Sequence, residues 1–145
     1  MVDGQRVGGR LDKRLKRPKI DGMKAATDLA YGLGSHLILD LYGCPKEQLA
    51  DVNWLASVLE KFPDRVGMTK LLPPHVFSYT DDDSDNWGVS GVVLTADSHI
   101  SVHTFPGREH AFIDIFSRRE FDLDFARREL LELFSAKEHE ASLLH

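Results

Sequence analysis

The spacing of hydrophobic residues changes along this chain, and each change marks an element. In "SHLILDLYG", Ser35–Gly43, apolar and polar residues alternate, which predicts a strand with one buried face, closed at Gly43. Pro45 suits the first turn of a helix, and Val52, Leu55, Leu59 and Phe62 follow at three- and four-residue spacing. That spacing predicts a helix with one face on a sheet, ended by Pro63. "RVGMTKLL" and "HVFSYT" read as two short strands separated by Pro73-Pro74, and "DDDSD", Asp81–Asp85, as a polar loop. From Trp87 to Ser117 the pattern is almost wholly that of strands, with breaks near Ala96–Ser98 and at Pro106-Gly107. "DLDFARRELLELF", Asp122–Phe134, predicts a second amphipathic helix, with Asp122 and Asp124 suited to its positive N-terminus. "MKAATDLAYGLG" allows one short helical turn, and the segment from Lys137 onward shows no pattern.

The order is strand, helix, two strands, hairpin, strand, helix. Short connections between the later strands favour antiparallel pairing, so the expected fold is α+β: a two-layer α/β sandwich, an antiparallel sheet with two helices on one face. The other face then needs a cover, and a homodimer interface is a natural one.

At 145 residues the chain is large enough for one core, which the pattern places in residues 25–136, between tails at 1–24 and 137–145. No apolar run approaches a membrane span, and the N-terminus lacks a signal peptide's apolar centre, so a cytoplasmic protein is expected. Cys44 is the only cysteine, which excludes an internal disulfide framework and a cysteine-based zinc cluster. The net charge of −5 is uneven: residues 1–24 carry eight Lys/Arg against three Asp, and the rest of the chain is acidic. This basic stretch reads as a solvated tail rather than a nucleic-acid arm, because no aromatic is interleaved for base stacking.

The candidate chemistry gathers in "VVLTADSHISVHTFPG", Val92–Gly107, which holds Asp97, Ser98, His99 and His103. If Ala96-Asp97 is the loop of a hairpin, Thr95 pairs with Ser98 and Ser90 lies opposite His103. Facing Cβ atoms are then about 5 Å apart, within reach of a hydroxyl–imidazole hydrogen bond. Alternation puts His99, Ser101 and His103 on one face and Ser98 on the other, so Ser98 meets His103 only if the chain turns sharply at Asp97–Ser98. The residues leave several chemistries open beside a merely polar strand. A hydrolase triad of Ser98, His103 and Asp114 lacks the G-x-S-x-G elbow. A metal site on His99 and His103, with His75 or His110, lacks a helical ligand spacing. A serine at a strained turn can also attack its own preceding carbonyl, with an imidazole assisting.

"HLILDLYGC … GVSGVVLTADSHISVHTFPGREHAFIDIF" resembles the bacterial and archaeal S-adenosylmethionine decarboxylases from about His36 to Phe134, most strongly in "DLYGC", "GVSGVV" and "SHISVHTFP". The resemblance implies a dimerising proenzyme that cuts itself between Asp97 and Ser98, leaving a pyruvoyl group made from Ser98. Its carbonyl would form a Schiff base with the substrate amine and serve as electron sink for decarboxylation in polyamine (spermidine) biosynthesis. Ser90 and His103 match the family's processing residues, with His103 as the base. Four positions depart from the family pattern. Asp97 stands for glutamate; Phe105 and Gly107 stand for the tryptophan and glutamate of the substrate side; and Arg118 stands for the proton-donating cysteine, although arginine is a poor acid. Two alternatives follow from these changes: a decarboxylase of arginine or ornithine, for whose distal cation Asp114, Glu109 or Asp81–Asp85 are candidates, and a non-catalytic regulatory homologue.

Overall fold

The alternating segments come together in one sheet. The structure, a computed structural model, describes residues 34–80 and 87–144. The basic segment 1–24, the helical turn at 23–34 except Gly34, and the loop Asp81–Asp85 lie outside the described residues. Strands β1 (Ser35–Tyr42), β2 (His75–Tyr79), β3 (Gly88–Leu94), β4 (Ser98–Phe105), β5 (His110–Ser117) and β6 (Glu138–Leu144) form a six-stranded sheet in the order β2-β3-β4-β5-β1-β6. Every pairing is antiparallel. Helices α1 (Lys46–Leu49), α2 (Val52–Arg65) and α3 (Leu123–Leu133) complete the fold. This is the α+β two-layer sandwich that the pattern predicts.

Alternation decides which side chains face the helices. Leu37, Leu39 and Leu41 of β1 join Val89, Val93, Ile100, Val102, Ile113 and Ile115 in the core, against Leu55, Leu59 and Phe62 of α2 and Ala126 and Leu130 of α3. Both main helices start on an aspartate cap: Asp51 accepts from the Trp54 N–H at 3.0 Å and Asp122 from the Phe125 N–H at 2.9 Å, meeting donors that the first turn leaves unpaired. Two glycines of "GVSGVV" are needed for close approach. A Cβ on Gly88 would sit 1.8 Å from the Thr104 carbonyl oxygen of β4, and one on Gly91 would sit 2.6 Å from a Leu59 methyl of α2.

Four local expectations are corrected. The first helix is two helices, α1 and α2, separated at Ala50–Asp51, where Asp51 caps α2. Pro63 does not end α2 but lies inside it, two residues before its end. So close to the terminus a proline forfeits little, and the Pro63 carbonyl accepts from the Val66 and Met68 N–H groups as the helix unwinds. "RVGMTKLL" is not a strand: Gly67 takes a left-handed turn, and only Lys70 makes an isolated bridge, to Thr95. The segment beyond Lys137, read as a tail without pattern, is edge strand β6, paired with β1 from Tyr42↔Glu138 to His36↔Leu144. It carries little hydrophobic signal because, of its residues, only Ala141 is fully buried.

Gly88→Ala is expected to lower the urea midpoint by the equivalent of about 1–3 kcal/mol, because its Cβ meets a backbone carbonyl that cannot rotate away. Gly91→Ala, which meets the movable ends of side chains, is expected to cost less; equal losses would contradict this account.

Candidate active site

The turn between β3 and β4 is pinned on both sides of the Asp97–Ser98 peptide. Upstream, Ala96 N–H donates to the Thr69 carbonyl at 2.9 Å, and the Asp97 carbonyl accepts from the Arg118 N–H at 3.0 Å. The Asp97 carboxylate, in turn, takes an ion pair from Arg119 Nε at 2.9 Å, and Arg119 N–H donates to Ser117 Oγ at 3.0 Å. Downstream, Ser98 opens β4 opposite Ser117 of β5, and its carbonyl accepts from the Thr95 N–H at 2.9 Å. Ser98 Oγ is hydrogen-bonded to Thr95 Oγ1. A break at this peptide would leave each new end held by its own bonds, so the residues present fit a serine-derived group at the start of β4.

The hairpin register is the one that a two-residue loop dictates: Ser90 faces His103. Ser90 Oγ and His103 Nδ1 are 2.8 Å apart, a hydroxyl–imidazole hydrogen bond on the face of the sheet without helices. Ser98, by contrast, lies on the helix side at 9% exposure. β4 runs unbroken from Ser98 to Phe105, so the sharp turn that would bring Ser98 to its own His103 is absent. Five residues of strand put the two roughly 17 Å apart. Within one chain the structure brings Ser90 and His103 together but not Ser98.

The remaining chemistry-bearing residues sort by neighbour. Asp114 Oδ1 lies 2.6 Å from His36 Nε2 and its Oδ2 lies 3.4 Å from His99 Nε2. Burial works to raise the Asp114 carboxyl, but the His36 hydrogen bond and the charges of His36 and His99 outweigh it and hold the group below the usual carboxylate range. Asp114 is thus occupied by two imidazoles, neither of them His103, which counts against the hydrolase triad and leaves it poorly placed for a substrate's distal cation. His99 and His103 share a face but hold different partners, Asp114 and Ser90. His75 lies on β2, opposite Val92. No group of three or more His, Cys, Asp or Glu among the described residues could hold a metal ion.

At the far end of the open face, His110 stacks on Tyr42 at 4.5 Å between ring centroids and lies 4.3 Å from Phe112, while Phe105 meets Phe112 edge-on at 5.7 Å. Burial lowers the His110 pKa, with Asp40 opposing and Arg108 adding to the effect. Gly107 is exposed in a short 3-10 turn at Pro106–Arg108, followed by Glu109 in the left-handed region. Cys44 is buried in the core at 1% exposure, its thiol pushed up to about 11 by burial and then by Glu109. Sequence reasoning did not single out His36, Thr95 or Arg119. His36 and Arg119 act through strand pairings distant in sequence, whereas Thr95, three residues from Ser98, could have been found from the hairpin loop itself.

The family model for S-adenosylmethionine decarboxylase matches residues 35–145. Among curated relatives, the S-adenosylmethionine decarboxylase proenzyme of Pyrococcus furiosus is 34% identical over 72% of this chain and 72% of its own. That of Thermodesulfovibrio yellowstonii is 31% identical over 74% and 76%. The proenzyme of Synechococcus sp. is 38% identical over 59% of this chain, a match that spans only 62% of the relative. The crystal structure of the adenosylmethionine decarboxylase of Aquifex aeolicus superposes with a TM-score of 0.63 at 26% identity, covering 77% of this chain and 88% of that one. With a family match over most of its length and relatives that share both sequence and fold, this chain belongs to the S-adenosylmethionine decarboxylase family.

Proposed function

We propose that this protein is a cytoplasmic proenzyme that cuts itself between Asp97 and Ser98 and then decarboxylates S-adenosylmethionine in polyamine biosynthesis. The observation that carries this proposal is the pinned turn: a serine with a hydroxyl partner follows a carbonyl that already accepts a backbone N–H. In the first step Ser98 Oγ attacks the Asp97 carbonyl carbon; the C–Oγ bond forms, the C–N bond breaks, and the hydroxyl proton passes to the Ser98 nitrogen. A base then removes the Ser98 α-proton, the Cβ–Oγ bond breaks, and Asp97 leaves as the carboxylate end of the first fragment. Water converts the remaining residue to a pyruvoyl group and ammonia. That group supplies the electron sink which decarboxylation of an amino acid requires.

His103 is the base, oriented by Ser90, and it acts on Ser98 of a second copy. The separation of Ser98 and His103 along one straight strand supports this, as does the open face itself. There Phe77, Leu94 and Phe112 are 58%, 48% and 39% exposed, an apolar surface of the kind that marks an interface. A two-fold homodimer through these faces would set the Ser90–His103 end of one copy against the Ser98 end of the other, where the base takes the Ser98 α-proton and not the side chain, which lies on the helix side. Phe105, in the aromatic cluster at the same end as His103, is then available to stack on adenine, with Gly107 beside it. The shared name of the relatives favours S-adenosylmethionine over arginine or ornithine, and the intact Ser90–Ser98–His103 set weighs against a non-catalytic homologue.

Intact mass under denaturing conditions is expected to show two fragments split after Asp97, the C-terminal one lighter by an ammonia than plain serine predicts, and a single chain of 16.3 kDa for Ser98→Ala. His103→Ala alone should also stay uncut. Co-expression of Ser98→Ala with His103→Ala should restore cutting of the His103→Ala chains; no cutting in the mixture would sink the two-copy site.

Decarboxylation assays with S-adenosylmethionine, arginine and ornithine are expected to give turnover with the first alone. Arg118→Cys should then raise kcat, because a thiol donates protons far more readily than a guanidinium; a fall would point to a different substrate.

A further inference from the structure

We propose that Thr95 is a processing residue: its hydroxyl orients Ser98 Oγ for attack on the Asp97 carbonyl, so that the acyl shift is prepared within one chain. This rests on the self-cleaving function above and adds a residue to it. Thr95 and Ser98 are 4% and 9% exposed, so their hydroxyls meet away from bulk water. The bond between Thr95 Oγ1 and Ser98 Oγ is matched by the backbone bond from Thr95 N–H to the Ser98 carbonyl, which fixes the two residues to each other. Thr95 is held from outside as well, by its bridge to Lys70 and by the Leu71 N–H donated to the neighbouring Leu94 carbonyl at 3.1 Å.

A threonine suits this place for a physical reason. Its branched Cβ limits χ1, so its hydroxyl points in few directions, and that hydroxyl can both donate and accept. A free serine rotates among three wells, and two of them aim the nucleophile away from any given target. The hydrogen bond between Thr95 Oγ1 and Ser98 Oγ selects one Ser98 rotamer, and with Thr95 as acceptor it leaves the Ser98 lone pairs free for attack. The Arg118 N–H, 3.0 Å from the Asp97 carbonyl oxygen, meets the negative charge that attack develops there. The first step thus uses groups of one chain, whereas the elimination needs the second copy's His103. The division predicts that a chain lacking His103 still reaches the ester, and that one lacking the Thr95 hydroxyl is slow to reach it.

The test traps the ester with hydroxylamine, which splits it to leave a hydroxamate on Asp97 and an intact serine at the start of the other fragment. Purified full-length His103→Ala is expected to be uncut until hydroxylamine is added and then to split after Asp97. Thr95→Val combined with His103→Ala should split about tenfold more slowly, the loss of one hydrogen bond. Thr95→Ser with His103→Ala should split like His103→Ala, since it keeps the hydroxyl. Thermal melts confirm that each variant is folded, and Thr95→Ala replaces Thr95→Val if the latter does not fold. Equal hydroxylamine sensitivity with and without the hydroxyl overturns the role of Thr95. So does a Thr95→Ser variant as slow as Thr95→Val, which would assign the effect to the lost methyl. If the unmodified protein itself stays uncut and no variant yields to hydroxylamine, the self-cleaving function fails first and Thr95 with it.

Discussion

The register of β3 against β4 is the constraint on which packing and chemistry both depend. Side chains alternate strictly across a pleated strand, so a slip of one residue would exchange the two faces. In the observed register Val89 and Val93 face α2 with Ile100 and Val102, while Ser90 and His103 meet on the open side. With β4 held on β5, a slip of β3 would turn Ser90 toward the helices and expose Val89 and Val93. The tight connection at Ala96-Asp97 holds this register, closed by the Thr95 N–H to Ser98 carbonyl bond. Gly88 and Gly91 hold it too, since each admits a neighbour that a side chain would displace. The hydrophobic pattern that folds the hairpin therefore also places the Ser90–His103 pair.

The proposed cut at this turn would leave the fold in place, because its flanks are anchored independently. β4 keeps all eight pairs to β5, from Ser98↔Ser117 to Phe105↔His110, whichever side of Asp97 the chain ends on. On the other side, Ala96 is tied to Thr69 and Asp97 to Arg118 and Arg119, none of which belongs to β4. A cut between two such anchors would release few contacts. The same anchors limit movement of the Asp97 carbonyl, the preorganisation that the proposed intramolecular attack needs.

What could be read from the sequence follows from how local each feature is. The alternation in "HLILDL" and "VSGVV", the three- and four-residue spacing of α2 and the Ser90–His103 pairing need only neighbours or a two-residue loop, and all are legible. β6 is not, because an edge strand that buries only Ala141 in full leaves almost no hydrophobic trace. The ion pair of Asp114 with His36 depends on β1 lying beside β5, with its partners 78 residues apart in the sequence, which no periodicity encodes. The failure of Ser98 to meet His103 was half visible: alternation already put them on opposite faces, and only the straightness of β4 decided the matter.

Arg118 separates the two halves of the chemistry. At the proposed cleavage site it gives the Asp97 carbonyl a backbone N–H, which any residue but proline supplies, so arginine in place of the cysteine that the family resemblance implies leaves that bond untouched. In turnover, by contrast, the resemblance implies a side-chain acid at this position, and that acid is lost. Cys44 cannot stand in: it is sealed in the helix-side core, its N–H bonded to the Glu109 carbonyl just before β5, whereas Arg118 lies just after that strand. Eight residues of strand span about 26 Å. A second copy brings no nearer thiol, because its Cys44 is equally sealed, at 1% exposure. In the two-fold arrangement proposed above, the groups set toward the start of β4 would be Ser90 and His103, and an imidazole that accepts a proton in the proposed processing step can return one in turnover. On that arrangement a single histidine serves both halves of the reaction, and the loss of the cysteine need not end catalysis.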